Sequence, residues 1–136
     1  MKIPNKRLFW AVALGHMIND SFMSMGSVVL TFLISAGLGI TNAQLGLAIG
    51  AQQMMGALPQ PFFGLKIDRD GGRWLGAGGV AWTIGMFSLA MVIVALTQNF
   101  WLMVIPFVLA AFGSAAFHPS GALHAAESDT SRVATS

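Results

Sequence analysis

Asp20 is an acid in a place where acids are costly. Between Leu8 and Ser35 it and His16 are the only ionisable side chains, and a bilayer crossing needs only about 20 apolar residues. Asp20 lies 13 residues after Arg7 and 15 before Ser35, which at ~1.5 Å per residue places it near the middle of such a crossing. An acid there costs about 2.5 to 3.5 kcal/mol to insert, so its carboxyl is expected to face the protein interior or a hydrated cavity. Helical spacing puts His16, Asn19, Asp20, Ser24, Ser27 and Thr31 on one stripe, with lipid-compatible Phe22, Val29 and Leu33 mostly elsewhere. The stripe reads as one wall of a polar cavity. A carboxyl whose hydration changes takes up and gives up a proton, so proton coupling is the chemistry this wall would do. The competing reading is fixed polar glue, with Asp20 hydrogen-bonded to His16 one turn earlier and to a neighbouring helix. The His16 and Asp20 spacing would also suit a metal, but two ligands are too few and no metal is expected.

Further along, Gly113-Ser114-Ala115-Ala116-Phe117-His118-Pro119-Ser120-Gly121 brings Ser114, His118 and Gly121 to one face of a second polar-bearing helix. Pro119 removes a backbone hydrogen bond, so a kink is expected, with freed carbonyls near Ala115. His118 is then either a cavity residue or a snorkelling core histidine. Gln52, Gln53 and Gln60 carry amides into another apolar stretch, loosened by Pro59 and Pro61, and some of these, Gln53 among them, are expected to line the same cavity. Gly46 with Gly50 and Gly72 with Gly76 permit close helix contact. The nine methionines read as flexible packing.

The elements that must position these groups follow from composition. Of 136 residues, 55% are hydrophobic and 9% charged, against about a quarter charged in soluble domains. A soluble domain is excluded, and an all-α membrane protein is expected. Four apolar spans are predicted, at about 8–35, 43–63, 74–96 and 101–126, forming a transmembrane bundle over 1–126. A polar cytoplasmic tail follows at 127–136. Glycines 37 and 39 with Asn42 mark the first turn, and Thr41 or Asn42 is placed to cap the next helix. The dense charge cluster from Gly64 to Arg73 forms the second connection, and Thr97-Gln98-Asn99 the third. With no cysteine there is neither a disulfide framework nor a thiolate metal site.

Connections this short make neighbouring helices antiparallel. The N-terminal tail carries Lys2, Lys6 and Arg7, the second connection Lys66, Arg69 and Arg73, and the C-terminal tail Arg132, while the other two connections carry no Lys or Arg. This bias places both ends and the charged loop in the cytoplasm. Basic residues spread in this way read as topology signals, so no nucleic-acid partner is expected. A signal peptide does not fit, because the first apolar run is too long and holds an acid. Gly76-Ala77-Gly78-Gly79 resembles a dinucleotide fingerprint but follows no strand, and Asn19-Asp20-Ser21 is a sequon at mid-membrane. The serine of His118-Pro119-Ser120-Gly121 lacks the small residue two positions earlier that a serine nucleophile turn would use, so no enzyme is expected.

In the charged loop, Gly64, Asp68, Arg69, Gly71 and Arg73 resemble the Gly-x-Leu-Ala-Asp-Arg-x-Gly-Arg-Arg signature between helices two and three of major facilitator superfamily transporters. Lys66 and Gly72 depart from it. More narrowly, Gly15-His16 with Asn19-Asp20, Gln60-Pro61 before Gly64, and Gly113-Ser114 with Phe117-His118-Pro119 look like the fosmidomycin-resistance type of efflux transporter within that superfamily. The resemblance runs from Leu8 to about Gly121 and weakens beyond, although Ser131-Arg132-Val133-Ala134 echoes a segment the family places just after its histidine-proline.

This resemblance implies the first four helices of that fold and export of a small-molecule substrate by proton antiport. The proton gradient would be the energy source, and no cofactor is implied. Asp20 and His16 would be coupling or substrate-contact residues with His118 across the cavity, while Asp68 and Arg69 would contact the opposite half in the outward-facing state. Because such transporters have twelve helices, the expectation is that missing C-terminal helices or other chains complete this one, within the lipid bilayer of the cell (inner) membrane. Two other classes compete. A four-helix small multidrug-resistance exporter also has an acid in its first helix, but its dual insertion needs balanced loop charges. A non-transporting membrane scaffold would use Asp20 as inert glue.

Overall fold

The computed structural model describes residues 6–35, 37 and 39–128, except the side chains of Lys6, Ile34, Ser35 and Arg73. Lys2 and Arg132 lie outside the described residues, as do 129–136, which hold most of the expected polar tail.

Every regular element among the described residues is an α-helix: α1 (Lys6–Ser35), α2 (Asn42–Ala57), α3 (Gln60–Asp70), α4 (Arg73–Thr97) and α5 (Phe100–Ser128). Two of them, α4 over Trp74–Thr97 and α5 over Phe100–Ser128, are long and apolar enough to cross a membrane. The other two crossings expected from sequence fall on α1 and on the α2 and α3 pair. In α1, His16, Asn19 and Asp20 interrupt the apolar run; α2 is only 16 residues long, and α3 ends in Lys66, Asp68, Arg69 and Asp70.

The expected second span is two helices rather than one. Prolines 59 and 61 each lack the N–H that a continuous helix would use there, so α2 closes with the Leu58 N–H donating to the Met54 carbonyl, and α3 restarts with Pro61 in its first turn. The charge cluster read as a loop is mostly helical as well. Gly64, Asp68 and Arg69 sit on α3, and the turn itself is only Gly71 and Gly72. Gly71 takes φ 77° and ψ 157°, a region open essentially to glycine alone. By contrast, α5 continues through both Pro106 and Pro119.

The remaining turns form as their residue types require. Thr41 caps α2: its hydroxyl accepts from the Gln44 N–H at 3.2 Å, while the Thr41 N–H donates to the Gln44 side chain at 2.9 Å. This reciprocal capping box satisfies two otherwise orphaned donors. Gln98 adopts the left-handed conformation after α4, and the Asn99 side chain accepts from the Trp101 and Leu102 N–H groups to start α5.

The bundle is built around α5, which packs against each of the other four helices, most extensively against α4. Small residues make that pairing close. A Cβ on Gly79 would lie 2.5 Å from the Gly113 carbonyl oxygen, so the two backbones meet where neither has a side chain. Nearer the charged end, the Ser120 hydroxyl donates to the Gly72 carbonyl at 2.6 Å, tying α5 to the turn that opens α4. Toward the other end of α5, Leu30, Phe87, Met103 and Phe107 belong to the buried apolar core.

α1 has three faces. Gly15, Phe22, Gly26, Val29, Leu30 and Leu33 turn inward, with Gly26 directly against the Phe107 ring. Trp10, Leu14, Met25 and Val28 are exposed and apolar. The polar stripe fills the third face, where Ser24, Ser27 and Thr31 are also exposed. Phe22, Val29 and Leu33, lipid-compatible and expected off the polar stripe, are indeed off it and turn toward the bundle core. Their apolar partners, Phe87 and the α2 residues of the same core, lie inside the bundle, and the hydroxyl stripe is the open side. Two of those hydroxyls are satisfied locally, Thr31 donating to the Ser27 carbonyl at 2.8 Å and Ser27 to that of Ser24 at 3.2 Å.

Candidate functional site

The polar residues of α1 and α5 meet where α1, α4 and α5 come together. Asn19 has no exposed surface. Its Nδ2 donates to the Ser114 hydroxyl of α5 at 2.9 Å, and its Oδ1 lies 3.3 Å from the Thr83 hydroxyl of α4. The Thr83 hydroxyl also lies 3.1 Å from the Ala110 carbonyl. Three helices are thus linked through one amide.

From this anchor Asn19 reaches outward, its Nδ2 also donating to Asp20 Oδ1 at 3.1 Å. The carboxylate is therefore held on one side by a buried group. On the other side Asp20 Oδ2 lies 3.1 Å from His16 Nδ1, and Oδ1 lies 3.9 Å from His118 Nε2. The two imidazole rings are edge to face with centroids 5.3 Å apart. Side-chain exposure is 54% for His16, 45% for Asp20 and 34% for His118, so the cluster sits at the mouth of the polar face, open on one side and supported from behind.

Phe117 supplies part of that support. Its buried ring lies 6.0 Å from the His16 ring and 5.9 Å from that of His118. Glycines make room for it, since a Cβ on Gly15 would come within 3.1 Å of the ring and one on Gly121 within 3.4 Å. Beyond Phe117 an apolar groove of about 630 Å³ runs between α1, α4 and α5, past Val12, Ile18 and Val80.

Of the residues singled out from sequence, His16, Asn19, Asp20 and His118 converge here. Gln53 does not: it is exposed on α2, and the buried amide is its neighbour Gln52. Gln52 Nε2 is buried without a hydrogen-bond partner among the described residues. Gly64, Asp68 and Arg69 lie apart from the cluster on α3, where Asp68 and Arg69 are exposed and nothing stands within 4 Å of a Cβ built on Gly64. Gly71 forms the turn. The backbone of Arg73 opens α4, and its side chain lies outside the described residues.

Sequence reasoning missed Thr83, the residue through which α4 joins the anchor. The available signal was weak: one of two hydroxyls, with Ser88, in the uncharged run from Trp74 to Leu96.

Chemically, the arrangement offers a carboxylate with one imidazole at hydrogen-bond distance, 3.1 Å, and a second at 3.9 Å. Comparisons of the chain with protein-family models, curated proteins and solved structures find no match in any of the three.

Proposed function

We propose that this chain forms part of a membrane transporter that exports a small molecule in exchange for protons, with the helical arrangement of the first four helices of a major facilitator of the fosmidomycin-resistance type. Asp20 is the proton-carrying group, and His16 and His118 are its relay partners. The observation that carries the reading is the placement of Asp20. A carboxylate at the centre of a long helix is fixed from behind by a buried asparagine and faces two histidines on an exposed polar face. Intramembrane acids in such surroundings belong to ion and substrate pathways more often than to packing.

In this reading α1, the α2 and α3 pair, α4 and α5 are four crossings of the inner membrane, with the basic residues of α3 on the cytoplasmic side. The polar face of α1 borders a water-filled cavity closed by a second helical body. Asp68 and Arg69, both exposed on α3, meet that body and hold one of the two access states.

The test uses everted membrane vesicles carrying the protein, energised to acidify their interior and given fosmidomycin or another small-molecule candidate while interior pH is followed. Substrate-dependent proton efflux is expected from the wild type. Asp20→Asn should abolish it while the protein inserts in normal amount, and Asp20→Glu should retain part of it. Undiminished efflux with Asp20→Asn would contradict the reading. Absence of efflux with every candidate in the wild type would favour the scaffold alternative.

A further inference from the structure

Metal-binding capacity was set aside in the sequence because His16 and Asp20 supply only two ligands. The fold brings a third from α5. His16, Asp20 and His118 each offer one ligand atom, and the three atoms lie within 4.8 Å of one another. We propose that they form a binding site for a divalent transition-metal ion of the zinc, cobalt or nickel class.

The donor set selects that class. Two neutral imidazoles and one carboxylate suit borderline ions, whereas magnesium and calcium prefer all-oxygen shells. The spacing comes near to it, the three-atom set spanning up to 4.8 Å and the two histidines each lying beside a different Asp20 oxygen. With bonds of about 2.0 to 2.1 Å, two ligand atoms on a tetrahedral ion stand roughly 3.3 Å apart. His16 Nδ1 and Asp20 Oδ2 are already at 3.1 Å, and His118 Nε2 is 3.9 Å from Asp20 Oδ1. Closing the remaining gap asks mainly for a turn of the Asp20 carboxylate, which is 45% exposed.

The surroundings carry the features of a supported site. Metal-binding carboxylates are oriented by outer hydrogen bonds, and Asp20 receives one from Asn19, itself locked by Ser114 and Thr83. Phe117 packs beside both imidazoles, its ring 6.0 Å from that of His16 and 5.9 Å from that of His118. Three protein ligands on an open face leave a fourth position for water or an exchanging ligand, which fits reversible binding rather than a closed structural site. This inference rests on the geometry of the three side chains and holds whether or not the chain exports anything.

The experiment is a titration of the purified, detergent-solubilised protein, carrying no polyhistidine tag, with Co²⁺ followed by visible absorption. One equivalent should bind with a visible ligand-field band, and Zn²⁺ should displace it. His16→Gln, Asp20→Asn and His118→Gln should each weaken binding at least about 10-fold, a loss expected even of outer-shell changes. His124→Gln, which removes the histidine paired with Glu127 elsewhere on α5, should leave it unchanged. Circular dichroism of each variant establishes that the fold persists. No band in the wild type, or a band that survives Asp20→Asn or His118→Gln, would overturn the proposal. Proton efflux in vesicles is a separate readout, so failure here leaves the transport reading to its own test.

Discussion

Asn19 Nδ2 and Ser114 Oγ stand 2.9 Å apart with no route to solvent, so the group that orients Asp20 is also the group that ties α1 to α5. Stability and chemistry therefore separate between adjacent residues. Asn19→Leu should destabilise the bundle by about 1 to 3 kcal/mol, because it strands the buried Ser114 hydroxyl and leaves Thr83 only the Ala110 carbonyl. Asp20→Asn, at the exposed edge, should leave the thermal midpoint nearly unchanged while abolishing proton efflux. Thermal unfolding in detergent compares the two.

The glycines of α4 and α5 divide into two kinds, and alanine substitution separates them. Gly79→Ala and Gly113→Ala place a methyl group against the facing backbone and should each cost about 1 to 3 kcal/mol through overpacking. Gly78→Ala and Gly85→Ala project into open space and should be neutral or stabilising by up to about 1 kcal/mol, since alanine is the better helix former. Unfolding midpoints of the four variants should move in opposite directions.

Gly64 and Gly71 test the proposed role of the charged segment. Gly71→Ala imposes a side chain on a glycine-only conformation and should lower stability by about 1 to 3 kcal/mol. Gly64→Leu meets nothing within 4 Å of its Cβ, so stability should hold. Transport should nevertheless fall, because this face of α3 is where the second helical body is proposed to close. Normal transport by Gly64→Leu would place that contact elsewhere.

Gln52 and Gln53 supply a paired test of burial. Gln52→Leu removes a buried amide nitrogen without a partner and should stabilise the protein by up to about 1 kcal/mol, whereas Gln53→Leu on the exposed side should change little. A large loss with Gln52→Leu would show that the amide serves a partner.

Much of the helix layout was legible in the residues. The apolar runs correspond to α1, α4 and α5 within a few residues, and Thr41, Gly37 and Gly39 marked the first turn because capping and positive φ are local properties. Asp20, His16, Asn19 and His118 were found because each violates the surrounding apolar pattern. What the residues left open required knowledge of neighbours. Phe22, Val29 and Leu33 look equally suited to lipid or to a core, and only the position of Phe87 and its core partners decides between them. Gln52 and Gln53 are adjacent and chemically identical, so the choice between them depends on a helix rotation that the weak amphipathicity of α2 does not reveal. His118 is in the sequence but stands about a hundred residues from His16 and Asp20, so only the fold brings the three together.

The claim on which the export reading depends is that the polar face of α1 meets water within the membrane while the apolar exposed face meets lipid. The chain has no cysteine, so single substitutions report directly. In intact membranes, Ser24→Cys and Ser27→Cys should react with a small, charged, membrane-impermeant thiol reagent, and Leu14→Cys and Met25→Cys should be protected. Equal labelling of the two faces, or labelling of Leu14→Cys and Met25→Cys alone, would contradict it.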